Sequence, residues 1–198
     1  MSHRIVYRIV LAPIVLAAAL MSGGGAFADD AMPAASGVKG EILMWIEDAQ
    51  DKLTQLAEAI PENKYGWRPN KEVRTVGEVF MHVSAANYGI PSFIGVPAPK
   101  GFDFGTYEHT LTKKSDVMKS LKDSFAHMEG ALKAMSDEDM NAPAEFFGMK
   151  TTKRGAFVLL LSHVHEHLGQ EIAYARSINV TPPWTLKQQA AEAKAPKK

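Results

Sequence analysis

Apolar side chains recur at threes and fours in four separate stretches of this chain, and no stretch alternates in twos over more than a few residues. That period belongs to the amphipathic helix. From Val38 to Ile60 the apolar positions are Ile42, Trp45, Ile46, Ala49, Leu53, Leu56 and Ile60, and Pro61 stops the run. The second stretch follows Pro69-Asn70. Thr75 is a good N-cap, with Glu78 three residues later in capping-box spacing. Val76, Val79, Phe80, Val83, Asn87 and Ile90 then make one face, up to Gly89 and Pro91. Val117, Leu121, Phe125, Met128, Leu132 and Met135 mark a third helix from about Lys113 to Met135. A turn from Ala142-Pro143 to Met149 leads to the fourth, capped by Thr151 or Thr152. Phe157, Leu160, Leu161, Val164, Leu168 and Ala175 carry it to about Ile178.

Four such segments bury their stripes only against one another, which predicts an all-α fold, a four-helix bundle. No self-similar unit points to a solenoid. Pro91 to Thr110, rich in Pro, Gly and Phe, is long for a connection between helices. It either covers a site or packs Phe93, Phe102 and Phe104 on the bundle as a plain crossover.

The two ends read differently. His3, Arg4 and Arg8 precede the apolar run Ile9 to Met21, and Ala26-Phe27-Ala28 is a small-x-small site before Asp29-Asp30. The run is shorter than the roughly 20 residues that span a bilayer. Residues 1–28 are therefore expected to be a secretory signal peptide and the protein to be periplasmic or secreted, with no membrane partner once the signal is removed. Residues 29–37 are expected as a linker, 38–185 as the bundle, and 186–198, poor in large apolar side chains, as a flexible tail or frayed helix. The absence of cysteine suits an oxidising compartment. It also excludes a disulfide framework, a thiolate metal site and a cysteine nucleophile. Lys and Arg number 22 against 22 Asp and Glu, so electrostatics give no reason to expect nucleic acid as a partner. The expected partner is a small-molecule substrate of unknown identity.

Three of the seven histidines crowd into the run from Ser162 to Gln170. Four residues advance a helix by slightly more than one turn, so His163 and His167 share a side, with Cβ atoms about 5–6 Å apart. Two imidazoles at that spacing can reach one metal ion at about 2.0–2.1 Å each. His165 lies about 200° round the helix from His163 and faces elsewhere. The pair flanks the apolar line, where unsatisfied ring nitrogens are costly and a metal would satisfy them. An i,i+4 pair is equally at home as two core-edge histidines, so the spacing alone leaves both readings open. His82 is the candidate third ligand, beside Val79 and Ala86 at the border of the second stripe. Three neutral imidazoles leave coordination positions open, as catalytic rather than structural sites do.

Gln170, Glu171 and Tyr174 follow on the same flank. Glu171 is a candidate catalytic base, or an acceptor for an imidazole N–H, or the partner of a Lys on a neighbouring helix. Gln170 and Tyr174 are candidates to line the pocket, and Glu78 is a second candidate base. His109 reads as a loop residue. His127 reads as a surface or core-edge residue for which a fourth-ligand role stays open. The run is not H-E-x-x-H, because residue 169 is Gly. No Glu stands three residues before any His, which omits the di-iron motif of helical bundles.

Three passages together resemble the DinB/YfiT-like family of metal-binding four-helix bundle proteins. They are Thr75 to Val83 followed by Ala85-Ala86-Asn87-Tyr88, His163 to Gln170, and Tyr174-Ala175-Arg176 with Pro182-Pro183-Trp184. The resemblance covers about residues 38–185. It implies that His82, His163 and His167 hold a divalent ion, commonly zinc or nickel, with solvent completing the sphere. It further implies an up–down bundle with a long crossover between helices 2 and 3, and a homodimer. Some relatives transfer low-molecular-weight thiols to electrophiles or isomerise a substrate with such a thiol. This chain departs from the family at Leu168, where relatives often carry Arg, and in its export signal, since the thiol-using relatives work in the cytosol. The expectation is an exported metal-dependent enzyme, hydrolase or thiol-transferase-like. The alternatives are a non-catalytic metal- or ligand-binding module and a metal-free structural domain.

Overall fold

The computed structural model describes residues 37–195. The expected signal peptide, and the expected linker up to residue 36, lie outside the described residues.

Each apolar stripe becomes the buried face of a helix. Helix α1 spans Gly37–Ala59, α2 Val76–Ser92 and α3 Lys114–Ala134. A five-residue helix, α4, at Asp137–Asn141 precedes two short strands, β1 at Pro143–Phe146 and β2 at Met149–Thr152. Helix α5 spans Lys153–Ser177 and α6 Pro183–Lys194. The chain is an all-α four-helix bundle of α1, α2, α3 and α5. Ile46, Leu53, Phe80, Phe125, Met128, Phe157 and Leu160 are wholly buried at its centre. Trp45, counted with the stripe of α1, is instead 51% exposed. It lies about 100° round the helix from Ile46, off the buried face.

Local chemistry sets the helix ends. The Thr75 hydroxyl accepts from the Glu78 N–H, and the Glu78 carboxylate accepts from the Thr75 N–H, a closed capping box that fixes where α2 begins. Thr152 caps α5 by accepting from the Gly155 N–H. Gly89 and Pro91, expected to mark the end of α2 or a kink, stand at its end. Pro91 occupies the last turn, and the helix runs one residue beyond it.

Side-chain contacts give the directions. Lys114 at the start of α3 donates to the carbonyls of Glu58 and Ile60 at the end of α1, and Lys39 at the start of α1 donates to the carbonyl of Met135. Helices α1 and α3 are therefore antiparallel. Tyr174, late in α5, reaches the carbonyl of Arg74 just before α2, so α2 and α5 are antiparallel too. Asn87 donates to Ser124, each about three turns into its helix, so α2 and α3 run the same way. Helix α2 packs between α3 and α5, and α1 packs between the same two from the opposite corner. The long connection after α2 explains the parallel pair. It climbs back along α2 by packing Phe102 and Tyr107 edge-on against Tyr88, and Tyr107 meets the Ser120 hydroxyl at 3.0 Å. The crossover expected between helices 2 and 3 is thus a strap laid on the bundle.

The turn expected from Ala142 to Met149 is an antiparallel hairpin pairing Pro143 with Thr152 and Phe146 with Met149. Strands of four residues are too short to show alternation. The expected tail is helical through Lys194, with the side chains from Leu186 to Ala195 exposed. Helix α6 rests on the bundle through its first turn, where Trp184 packs against the core, and its later turns are exposed. Among the described residues no helix is long and apolar enough to cross a membrane.

Candidate metal centre

His82 stands two turns into α2, and His163 and His167 stand in the middle of α5. Because α2 and α5 are antiparallel neighbours, the three rings converge. One ligand nitrogen from each lies within 4.8 Å of the others. The Nε2 atoms of His82 and His163 are 3.1 Å apart. The ring centroids are separated by 5.0 Å (82 to 163), 4.8 Å (82 to 167) and 4.4 Å (163 to 167).

The outer nitrogens explain why the inner ones face one another. His82 Nδ1 donates to Glu108 Oε2 at 2.8 Å, and the same oxygen accepts from Arg74 Nε at 2.9 Å. Burial pulls the Glu108 carboxyl up, but its bonds to Arg74 and His82 outweigh this and leave it below its ordinary value. An ionised Glu108 fixes the proton of His82 on Nδ1 and leaves Nε2 bare. His167 Nδ1 donates to Gln170 Oε1 at 2.8 Å, so its Nε2 is also the free atom. Gln170 in turn donates to the Tyr174 hydroxyl at 3.0 Å, and that hydroxyl donates to the Arg74 carbonyl at 3.3 Å. Arg74 therefore closes a polar ring, through its side chain to Glu108 and through its backbone to Tyr174. Trp67 packs edge-on against Tyr174 at 5.4 Å and holds the phenol in place.

Burial pushes His163 down to about 3, helped by repulsion from His167, His82 and Arg74. Burial and Arg74 lower His82 as well. Both rings are neutral near pH 7, the form that ligates metals. His82 Nε2 is bare and His163 Nδ1 is buried without a partner, so the 3.1 Å gap between the two Nε2 atoms calls for a proton or a cation between them. The separation is close to the roughly 3.3 Å edge of a tetrahedral ion with bonds of about 2.0 Å. The residues present fit a divalent ion, and His82, His163 and His167 are the ones that would hold it.

Other expected roles fall elsewhere. Glu171 is wholly buried, and neither carboxylate oxygen has a hydrogen-bond partner, so it does not meet the imidazoles. Four residues past His167 it lies about 40° further round α5, on the core face. Gln170 and Tyr174 are at the centre, but as a chain that orients His167. Glu78 is tied into the cap of α2, with Oε1 3.4 Å from the His109 ring. His127 packs against Tyr88 at 5.2 Å on the α3 side of α2 and is not part of the group. The Nδ1 of His165 donates to the Leu161 carbonyl on its own helix. Glu108 and Arg74 were not legible beforehand, because Arg74 precedes α2 and Glu108 sits in a single 3-10 turn, Tyr107–His109, too short for any periodicity to place it. The one signal was the length of the segment that carries Glu108.

Residues 46–170 match the DinB superfamily. The chain belongs to that superfamily. Among solved structures it is similar to a DinB-like protein from Bacillus cereus, with 18% identity over 71% of this chain and 94% of that one, at a TM-score of 0.61. A DinB-like protein from Bacillus subtilis, YjoA, gives 20% identity over 71% and 93%, at 0.57. YfiT from Bacillus subtilis, described as "a probable metal-dependent hydrolase with an unusual four-helix bundle topology", gives 16% over 72% and 89%, at 0.59. No curated protein matches the chain.

Proposed function

We propose that this chain is an exported metal-dependent enzyme, with hydrolysis as its reaction class and zinc or nickel as its ion. One observation carries the reading: three imidazoles from two helices meet through free nitrogens, while a carboxylate and an amide hold two of them from behind. That is the construction of a site meant to stay open to ligand. The description of YfiT points to the same chemistry. A divalent ion bound here supplies Lewis-acid activation of water or of a carbonyl. The chain's own residues supply the rest. Glu108 and Gln170 set the tautomers, and the neutral rings leave the charge of a bound ion undiminished. The export rests on the residues of the first 28 positions, and compartments rich in small thiols are then not where the protein works. That favours hydrolysis over thiol transfer.

The test uses the full chain, stripped with chelator and reloaded with zinc or nickel. Metal content and hydrolysis of an ester and amide panel are then measured beside a thiol-transfer assay. About one ion per chain, activity that returns on reloading, and loss of both in His82→Ala are expected. A chain that takes up no metal refutes the reading. Full metal uptake with neither reaction supports the non-catalytic module instead.

A further inference from the structure

We infer that the substrate of this centre is an anion, and that the open edge of the Arg74 guanidinium takes its carboxylate while the scissile bond lies at the three histidines. The inference rests on the metal-centre reading and names the class of substrate: an amide or ester with a carboxylate a few bonds from the group that reacts. Arg74 is fixed at both ends. Its carbonyl accepts from the Tyr174 hydroxyl at 3.3 Å, in the last turn of α5. Its Nε donates to Glu108 Oε2 at 2.9 Å, the oxygen that also accepts from His82 Nδ1 at 2.8 Å. His82 follows Arg74 by eight residues, about 12 Å of helix rise. The side chain is therefore drawn from the foot of α2 toward the histidines, and its guanidinium stands one carboxylate oxygen away from a ligating ring.

A guanidinium has five N–H donors, and here a single one is engaged. Among the described residues neither Nη of Arg74 makes a hydrogen bond, and the side chain is 38% exposed. Glu108 Oε1, which a second parallel bond would have met, instead faces the His109 ring at 3.4 Å. One donor is enough to hold Glu108, so the flat edge formed by the two Nη atoms is left over. Such an edge matches a carboxylate through two parallel bonds, a fit that an ammonium group cannot make. Its bond to Glu108 and the tether of its backbone to Tyr174 hold it in place beforehand, which lowers the ordering cost of binding.

The charge around the centre has the sign that an anion needs. The Arg74 charge lowers both His82 and His163, so it is felt at the ligand rings, and Glu108 is the one carboxylate that acts on either of them. Glu108 and Arg74 offset each other, and the rings are neutral. The charge of a bound divalent ion is then not cancelled by the chain, and an anionic substrate is drawn to it. A carboxylate seated on Arg74 also sets how the reacting group lies against the histidines, which is the positioning part of catalysis.

The test measures binding of chelating acids to the zinc-loaded full chain by calorimetry. The probes are the monohydroxamates of succinic, glutaric and adipic acids, each beside its methyl ester, which keeps the length and loses the charge. At least one acid is expected to bind roughly tenfold or more tighter than its ester. Arg74→Gln should abolish that preference. Arg68→Gln, which removes the same charge from an exposed position, should leave it intact. If Arg74→Gln holds zinc too weakly to be loaded, Arg74→Lys decides. It keeps a donor for Glu108 but has no flat edge, and the preference should fall several-fold. Acids that bind no better than their esters overturn the inference and leave the metal reading standing. A preference that stays at the wild-type value in the loaded Arg74 variant, or that falls equally in Arg68→Gln, belongs to the general field of the protein and overturns the inference. A wild-type chain that takes up no zinc overturns the metal reading and this inference with it.

Discussion

Glu108 and His82 are 26 residues apart in sequence and joined by a 2.8 Å hydrogen bond that commits the imidazole to one tautomer. The bond makes the crossover a part of the metal centre. Arg74 holds the same carboxylate oxygen from the other side, so the anchor is itself anchored.

Removing that anchor should weaken the metal and spare the fold. Glu108→Ala is expected to lower zinc affinity by about 10–100-fold, the usual effect of losing a carboxylate behind a metal-bound histidine. Glu108→Gln, which keeps an acceptor, should fall between the variant and wild type. Calorimetric titration with zinc measures the change, and far-ultraviolet circular dichroism checks the helices. Unchanged affinity in Glu108→Ala would mean that His82 needs no support from the strap.

The ion should also stabilise the native state. A ligand that binds only the folded chain adds about 2.7 kcal/mol at 100 times its Kd, which for a domain of this size raises Tm by roughly 5–10 °C. Thermal melts with zinc, with nickel and with excess chelator measure this. His163→Ala, which opens the 3.1 Å pair, should erase the metal-dependent difference between the melts.

Glu171 predicts a dependence of stability on pH. Burial raises its carboxyl well above the ordinary 4.5. Below the unfolded value both states hold the proton, and the group costs nothing by titration. As pH rises, the unfolded chain releases the proton first, so stability is lost as pH climbs toward the folded value. Glu171→Gln removes this loss. Its stability relative to wild type should therefore improve from pH 4 to pH 8 in urea melts. A pH-independent difference would show that the carboxyl is not protonated in the folded protein.

The four helices were legible because the period of Ile46, Leu53 and Leu56, or of Phe157, Leu160 and Val164, is a local property of the chain. The approach of His163 to His167 follows from the same period, and His82 from its place at the edge of a stripe. Glu171 was misplaced by the same reasoning. A flank read in whole turns does not separate a side chain at the seam from one about 40° further in. The path of the strap was not legible, since Phe104 and Glu108 find their places through contacts with Gly89 and His82 that no spacing encodes. Nor was the parallel run of α2 and α3, because an amphipathic stripe looks the same in either direction. The hairpin was too brief to register, and Phe147 at its tip breaks the turn preference that would have announced it.

The parallel run of α2 and α3 has a consequence for rebuilding this protein. The connection must retrace α2, a 17-residue helix, hence about 25 Å. About eight extended residues are the shortest length that does so. Trimming is therefore tolerable near Val96 to Gly101, whereas a tight turn in place of the whole segment would force α3 to reverse and scramble the core. Grafting the segment from another superfamily member would exchange the prop behind His82 and the Phe104 ring against Gly89 in a single step, so the centre and the packing of α2 cannot be altered independently through it.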